Sequence, residues 1–377
     1  MSRWMGNTQV LAEQAAQYRE LAGRGDLPGL SRAVMRAACA NGSMTGVGAE
    51  NMELLRQLPD GDRLELAGLW AHWYAHVEDD WSAEEFRRDR EHLRGELLLT
   101  ASGIARGLAG NLLAAERREM LLPLRDQFLV WSTHRIWELA DAEIAAGRVP
   151  DAAVLAAFRR TGAAAHLPGF RRTQAAANGA EPGMRDLLAR FPGPVLNPGE
   201  PWADLAMKDA AAAGAPWQRL LEHPAPATAG APSAKWLRTA SALLDAAGRE
   251  EARRALVRWL DAARLDRTFP LLGHPHLPFD VNAGFDPYNA QVLRGLAWML
   301  SLLPPGPDTV HALAGLVETS LEHRSQDAPR SPRVAEAGIV ALALLEDGAA
   351  RAELETFSGW VTHKGVSRCL DRALARV

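Results

Sequence analysis

The carboxy-terminal stretch from residue 286 to residue 377 decides the fold of this chain. It begins as DPYNAQVLRGLAWMLSLLP at 286–304, turns within PPGPD, and continues as TVHALAGLVETSLEHR at 309–324. The polar connection SQDAPRSP leads to RVAEAGIVALALLED at 333–347, and GAARAELETFSGWVTHKGVSRCLDRALARV follows at 348–377. Apolar segments joined by short connections of proline, glycine and polar residues predict two antiparallel helix pairs followed by a further helix.

The spacing of the apolar residues supports this interpretation. In the first segment Leu293, Leu296 and Leu300 recur every three or four residues, which is the period of one helix face. Matching positions in the next two segments are Val310, Leu313, Leu316, Val317 and Leu321, then Val334, Ala337, Ile339, Val340, Leu342, Ala343 and Leu345. The interval from Leu296 to Leu342 approaches one HEAT or armadillo repeat of roughly 40–47 residues. Because one hairpin cannot bury its own apolar stripe, we predict an all-α protein built as an α-solenoid of HEAT/armadillo-like helical hairpins.

The composition changes along the chain, which indicates more than one domain. Its 377 residues exceed one typical domain of roughly 100–200 residues, and abundant alanine and leucine favour helices over sheet. Glycine and proline concentrate in GFRRTQAAANGAEPG, FPGPVLNPGEP and EHPAPATAGAPS. We therefore predict an N-terminal helical domain at 1–165, a Pro/Gly-rich seam with short helices at 166–232, and HEAT-like helical repeats at 233–377.

Three features favour the bacterial cytoplasm as the compartment. The basic residues are nearly all arginine, which is typical of a GC-rich bacterial genome. The two cysteines, Cys39 and Cys369, lie near opposite ends and are expected to be small buried side chains in a reducing environment. The start, MSRWMGNTQVLAEQ, lacks the apolar core of a signal peptide, and no apolar run reaches membrane-spanning length. We expect a cytoplasmic protein that does not enter a membrane.

The last quarter of the chain carries a distinctive set of residues: Asn289, Leu293, Arg294, Gly295 and Trp298 on the first helix, Arg330, Ser331 and Arg333 after the loop, and the pair His363–Lys364. In these residues it resembles the helical region of the MolR-like group of large bacterial proteins of unknown function. The resemblance implies HEAT-like helical repeats and leaves the activity open.

The polar residues of this quarter form the candidate partner-binding or ligand-binding set. The set consists of Asn289, Arg294, Arg330, Ser331 and Arg333. One interpretation is structural: Ser331 caps the following helix, and the arginines join neighbouring loops through carboxylates. Asp286, before Pro287, can likewise cap the free amides of the first helix. The other interpretation is an anion site, because free amides at a helix amino terminus and arginines together bind phosphate or carboxylate.

A second candidate site lies in WAHWYAHVEDDW at 70–81. His72 and His76 are four residues apart and share a helix face, which Asp79 extends. Two imidazoles and a carboxylate can hold zinc or iron, so a divalent metal is the alternative to a protein without a cofactor. Such histidines are also commonly satisfied by backbone or carboxylate partners, and the glutamate of HExxH is absent. Asp79, Asp80 and Glu84 also allow a magnesium-binding entrance of a terpene-synthase-like helical enzyme, although a second metal motif is missing.

A third candidate is a DNA-binding groove, as in bacterial alkyl-purine DNA glycosylases built from HEAT-like repeats. The arginines cluster as Arg87, Arg88, Arg90 and Arg94, as Arg117 and Arg118, and as Arg159, Arg160, Arg171 and Arg172. Trp131, Trp137 and Trp217 offer faces on which a base can stack. Against this, acidic residues interleave the first two clusters, and the formal net charge is −4.

The function that these patterns favour is a helical-repeat binding or scaffold protein. Its concave helix surface is expected to hold a protein or peptide partner, with arginine-lined loops at one edge selecting for charge. The alternative is a bacterial enzyme with its site on the N-terminal helices, either metal-dependent through His72 and His76 or a HEAT-like DNA-binding glycosylase.

Overall fold

The chain is all-α over the residues that its computed structural model describes. These residues are 2–40, 49–77, 90–108, 112–130, 135–164, 182–190, 195–225, 227, 229–273, 277, 279–323 and 329–377. Within them helices alternate with turns and loops, and the only β-type pairing is one isolated parallel bridge between Gln127 and Leu272. None of the helices in these ranges has the length and apolar character needed to cross a membrane. The prediction of an all-α chain is therefore confirmed.

The residues group into two compact units. The first comprises Met1–Arg125, Val130–Phe158 and Arg172–Phe191, and the second comprises Asp126–Leu129, Arg159–Arg171 and Pro192–Val377. Residues 201–222, which fall inside the predicted seam, form two helices of the second unit. Trp202 and Leu220 on these helices are buried in its apolar core.

The first unit contains nine helices among the described residues, the eighth of which continues into the second unit. Their bounds are α1 Ser2–Gly23, α2 Leu27–Ala40, α3 Ala49–Arg56, α4 Asp60–His76, α5 Arg90–Ile104, α6 Ala114–Leu121, α7 Trp137–Ala145, α8 Ala152–Ala164 and α9 Pro182–Arg190. A short 3-10 helix, Leu122–Asp126, follows α6. Trp70 lies in one apolar cluster with side chains from α1, α2, α3 and α5, while Phe158 lies in another with side chains from α5, α7 and α9.

Helix α7 carries buried carboxylates that arginines from other segments neutralise. Glu143 pairs with Arg117, whose Nε lies 2.6 Å from its Oε1, and with Arg148, whose Nε lies 2.6 Å from its Oε2. Burial alone would raise the pKa of Glu143, but hydrogen bonds from Arg148 and Arg117 outweigh it and lower the pKa. Two residues earlier, Asp141 pairs with Arg106 at 2.6 Å and with Arg190 at 2.7 Å. These arginines hold the first unit together, because a buried carboxylate needs a partner.

The second unit contains the remaining nine helices of the described residues. Their bounds are α10 Pro201–Ala213, α11 Ala215–Glu222, α12 Ala234–Ala247, α13 Arg249–Ala262, α14 Asn289–Leu300, α15 Pro307–Leu321, α16 Pro332–Leu344, α17 Gly348–Ser358 and α18 Lys364–Leu374. In a first row, α12 contacts α14, α14 contacts α16, and α16 contacts α18. In a second row, α10 contacts α13, α13 contacts α15, and α15 contacts α17. Contacts such as those of α13 with α14 and α15 with α16 join the two rows.

Side-chain caps and small residues set the helix starts and the close contacts of this unit. Ser233 caps α12, and Asp347 caps α17 by accepting from the amides of Ala349 and Ala350. Gly295 lets α14 approach the turn at Pro224, since an added Cβ would lie 2.9 Å from the Cα of that proline. Gly338 serves the same purpose in α16, where a Cβ would lie 2.7 Å from Val317 on α15.

Candidate partner-binding surface

The start of α14 is surrounded by a closed network of buried polar side chains. Asn289, with no exposed surface, accepts from the amide of Asn197 at 2.8 Å and donates through Nδ2 to Glu200 at 2.8 Å. Asp286 Oδ1 accepts from the amides of Tyr288 and Asn289 at 3.0 and 3.3 Å, so this side chain caps the helix as predicted. Its Oδ2 lies 3.2 Å from Nη1 of Arg160. Asn289 is therefore fully committed to internal partners.

Charge in this network is balanced rather than offered to a ligand. Arg160 also donates to the carbonyls of Phe128 and Gln127 at 3.0 and 2.9 Å. Glu200 accepts from the amide of Asp286 at 2.8 Å and lies 3.5 Å from Nη1 of Arg267. Burial raises the pKa of Glu200 and lowers the pKa of Arg160, because each charged form loses its hydration. Two arginines and two carboxylates thus neutralise one another inside the second unit.

Two of the candidate arginines are held by backbone carbonyls. Arg294 is 5 % exposed, donates to the carbonyl of Ala227 at 2.8 Å and to that of Ala229, and lies over the Trp298 ring. Arg330 is 9 % exposed, donates to the carbonyl of Ala263 at 3.0 Å, and stacks at 4.0 Å on the ring of Phe285. The sequence-based interpretation joined neighbouring loops through arginine–carboxylate pairs. In the structure Arg294 braces a loop through carbonyls and the Trp298 ring, and the contacts of Arg330 include a carbonyl and the ring of Phe285.

Ser331 and Arg333 lie at the start of α16 and differ in exposure. The Ser331 side chain accepts a hydrogen bond from the amide of Val334 and so caps α16. Arg333 is exposed and forms no ion pair or hydrogen bond with another described residue. Glu336, one turn further, lies 3.0 Å from the point where a Cβ would stand on Gly365 in α18. Of the five candidates, Arg333 is therefore the one available to a partner.

The helix beside it, α18, has one apolar side and one basic side. Val366, Cys369, Leu370 and Ala373 are buried against α16 and α17. The opposite side carries Lys364, Arg368 and Arg372 at four-residue intervals, and Arg376 follows at the same interval two residues past the end of the helix. We call these four residues the basic face. All four are exposed, and within the described part of the chain none of them forms an ion pair. Arg368 and Arg372 donate from Nε only to backbone carbonyls one turn earlier.

The second row of helices differs from the basic face because its charges are paired between neighbouring helices. Arg258 on α13 lies 2.9 Å from Asp209 on α10, and Arg253 on α13 lies 2.5 Å from Asp308 on α15. The pKa of Arg253 is raised first by its hydrogen bonds with Glu250 and then by the one with Asp308, and the pKa of Asp308 is lowered first by its hydrogen bond with Arg253. Arg253 and Arg258 of the second row are therefore paired across neighbouring helices, whereas the basic face has no such pairs among the described residues.

A shallow groove lies against the basic face. Its volume is about 500 Å³, and Gly365, Arg368, Asp371 and Arg372 line it. At Gly365, the carboxylate of Glu336 and the ring of His363 lie 3.0 and 3.2 Å from the position that a Cβ would take, so these side chains approach the groove at that point. Near the amino-terminal end of α18, Trp360 is 45 % exposed and packs edge-on against Phe357, with 5.8 Å between ring centroids. Exposed aromatic and arginine side chains together are typical of protein-binding surfaces.

The predicted metal ligands are brought together only in part. The ring centroids of His72 and His76 are 4.2 Å apart on the last turn of α4, and Nδ1 of His76 lies 2.8 Å from the carbonyl of His72. That hydrogen bond occupies one nitrogen of His76. Asp79, Asp80 and Glu84 lie outside the described residues. Across the described ranges no group of three or more histidine, cysteine, aspartate or glutamate side chains is placed to hold a metal ion.

Several members of the arginine clusters proposed for DNA are occupied inside the protein. Arg117 and Arg160 are buried, and each is paired with a carboxylate, Glu143 and Asp286 respectively. Arg94 lies over the ring of Tyr74, and Arg159 lies over the ring of Tyr288. Arg118 is exposed and donates from Nε to the carbonyl of Ala114 at 3.2 Å. The side chain of Arg90 and all of Arg87, Arg88, Arg171, Arg172 and Trp131 lie outside what the structure describes.

The tryptophans also point to the core rather than to a base-stacking site. Trp217 packs edge-on against Trp259 with ring centroids 6.0 Å apart. Trp259 is completely buried.

The basic face was not among the residues chosen from the sequence. The signal was present, because KGVSRCLDRALAR places a basic residue at every fourth position of a helix. Only the structure reveals that this side of α18 is exposed and forms no ion pair with the residues that the structure describes. Comparison with protein-family models, with curated proteins and with solved structures finds no match to this chain.

Proposed function

We propose that this chain is a helical-repeat binding protein, and that the second unit presents an exposed helix surface to a protein or peptide partner. In this proposal the two rows of helices correspond to HEAT-like hairpins laid side by side. The resemblance of the last quarter to the MolR-like group agrees with that arrangement.

The pattern of contacts between helices supports the hairpin array. Each helix from α12 to α16 contacts the helix two positions further along the chain. A stack in which each hairpin packs on the next leaves both outer surfaces of the rows open along their length. Such surfaces are used for binding because they are long and rigid.

The single observation that carries the binding role is the contrast between the basic face and two paired arginines of the second row. Arg253 and Arg258 are paired to Asp308 and Asp209 on neighbouring helices of the second row. The basic face of α18 has no such partners within the described residues. Exposed like charges four residues apart on a helix destabilise it by roughly 0.2–0.5 kcal/mol per pair. Their presence is explained if a partner of opposite charge compensates for them.

Photo-crosslinking in the cells that make the protein tests this function. A photoreactive amino acid replaces, one at a time, exposed Arg333 and Arg368 of the first row, exposed Arg254 of the second row, and exposed Leu64 in α4 as the control. We expect adducts of one discrete mass at the first-row positions and none at Leu64, with mass spectrometry identifying the same protein in each adduct. Absence of a protein adduct at every position of the second unit, or equal adducts at Leu64, would refute the proposal.

A further inference from the structure

We infer that the basic face of α18 binds an acidic helical segment of the partner protein. This inference rests on the proposed binding function and specifies the chemistry of the partner. The occupant is a peptide whose aspartate or glutamate side chains recur every fourth residue along one helix face.

The spacing of the basic face matches such a segment. Lys364, Arg368, Arg372 and Arg376 follow one another at four-residue intervals. With a rise of about 1.5 Å per residue, neighbouring charges on the helix are roughly 6 Å apart along the axis, and the three from Lys364 to Arg372 span about 12 Å. Acidic residues at every fourth position of a second helix have the same repeat, so that several charge pairs can form at once.

The side chains themselves favour carboxylates. Three of the four are arginines, whose planar guanidinium binds a carboxylate through two parallel hydrogen bonds. In Arg368 and Arg372 only Nε is used, for a backbone carbonyl, so the Nη donors remain for a ligand. The groove beside them has a volume of about 500 Å³ and can receive one side chain of the peptide. Exposed Trp360 provides an apolar contact at one end of the set.

Charge distribution favours an acidic peptide over a nucleic acid. Asp371 lines the groove between Arg368 and Arg372, where it would repel a continuous row of phosphates. A peptide can place a lysine or arginine opposite this carboxylate. The chain as a whole has a formal net charge of −4, which opposes the approach of a polyanion.

Binding of a defined peptide to the full chain tests the inference. The probe is a fluorescent alanine-based helix with glutamate at every fourth position, and the reference is the same peptide with glutamine in place of glutamate. Fluorescence anisotropy should give a dissociation constant for the glutamate peptide and no saturable binding for the reference. Affinity should fall as salt rises from about 0.01 M to about 1 M, over which the Debye length shrinks from about 30 Å to about 3 Å.

A pair of matched variants locates the site. Arg368→Gln with Arg372→Gln should weaken the glutamate peptide about tenfold, because two exposed charge pairs are lost. Arg238→Gln with Arg254→Gln removes two exposed arginines from α12 and α13 and should leave the affinity unchanged. Circular dichroism of both variants shows that each remains helical.

Three outcomes would overturn the inference. The first is equal loss of affinity in both double variants, and the second is tighter binding of a DNA duplex than of the peptide, which would assign the face to phosphates. The third is that the wild-type protein sediments as a dimer and the Arg368→Gln, Arg372→Gln variant as a monomer, because a second copy of the chain would then cover the basic face. If the photo-crosslinking experiment captures a partner but the glutamate peptide does not bind, this inference alone is refuted. If no crosslink forms, the proposed function is refuted as well.

Discussion

Replacing Arg160 by methionine tests whether the buried network at the start of α14 holds the second unit together. The Arg160 side chain is 1 % exposed and donates three hydrogen bonds, to the carbonyls of Phe128 and Gln127 and to Asp286 Oδ2. Methionine fills a similar volume and supplies no donor. The variant therefore leaves two carbonyl oxygens and one carboxylate buried without their partner.

The expected loss follows from the groups left unpaired. Breaking a buried ion pair costs about 3–5 kcal/mol, and an unpaired buried acceptor costs about 1–3 kcal/mol. These contributions overlap, because Asp286 keeps its hydrogen bonds from Asn197, Tyr288 and Asn289. We expect Arg160→Met to lower the free energy of unfolding by about 3–5 kcal/mol. Adding Asp286→Asn removes the carboxylate charge that Arg160→Met leaves unpaired. The loss of unfolding free energy in the double variant should therefore be about 1–3 kcal/mol smaller than the sum of the losses in the two single variants.

Urea unfolding followed by hydrogen exchange measures this difference locally. Peptides that cover residues 286–300 report the second unit, and peptides from α2 report the first. Arg238→Met on exposed α12 is the control and should change the free energy of unfolding by less than about 0.5 kcal/mol. A loss below about 1 kcal/mol in Arg160→Met, or strict additivity with Asp286→Asn, would refute the view that this pair is a mutually dependent buried charge pair.

Three further outcomes are expected. Gly295→Ala should destabilise the second unit despite a gain of about 1 kcal/mol in helix propensity, because the new Cβ would lie 2.5 Å from the Cβ of Pro224. Gly68→Ala, whose Cβ would enter open space, is the control and should stabilise the protein. Equal shifts of the melting temperature in the two variants would contradict this prediction. Burial lowers the pKa of His223, so the stability that its neutral form contributes is present above the pKa of the unfolded chain and is lost as pH falls through the pKa of the folded protein. The difference in free energy of unfolding between wild type and His223→Gln, measured in urea, should therefore shrink as pH is lowered. A difference that stays constant with pH would contradict this. Burial raises the pKa of the Cys369 thiol, so iodoacetamide at about pH 8 should modify this thiol only after the protein unfolds. Mass spectrometry measures the labelling. Prompt labelling of Cys369 in the native protein would contradict this prediction.

Local sequence signals predicted the helices of the carboxy-terminal stretch because each of those signals acts within a few residues. Asp286 and Ser331 were expected as caps, and both accept hydrogen bonds from amides two or three residues later. The apolar period of Leu293, Leu296 and Leu300 lies on a buried helix, as expected. Capping and amphipathic spacing are properties of one turn or one face, so a single sequence contains them.

The partners of the candidate polar residues could not be predicted, because they are distant in the chain. Asn289 bonds to Asn197 and Glu200, which are 92 and 89 residues away, and Arg294 bonds to the carbonyl of Ala227, 67 residues away. Helix α14 is apolar nearly all round, so its period does not say which neighbour faces each side. The openness of the basic face depends in the same way on which residues pack against α18.

The hydrogen bonds of Asp286 limit how the chain can be shortened. Proteins made of stacked hairpins generally tolerate removal of an end module, since each module depends only on the next one. Here Asp286 reaches back to Arg160, across 126 positions of sequence, and Arg160 in turn holds the carbonyls of residues 127 and 128. An expression fragment that starts at α12 would discard these donors and strand a carboxylate at the first turn of α14. Recombinant pieces of this protein should therefore retain the segment around residues 126–164, even when only the carboxy-terminal helices are of interest.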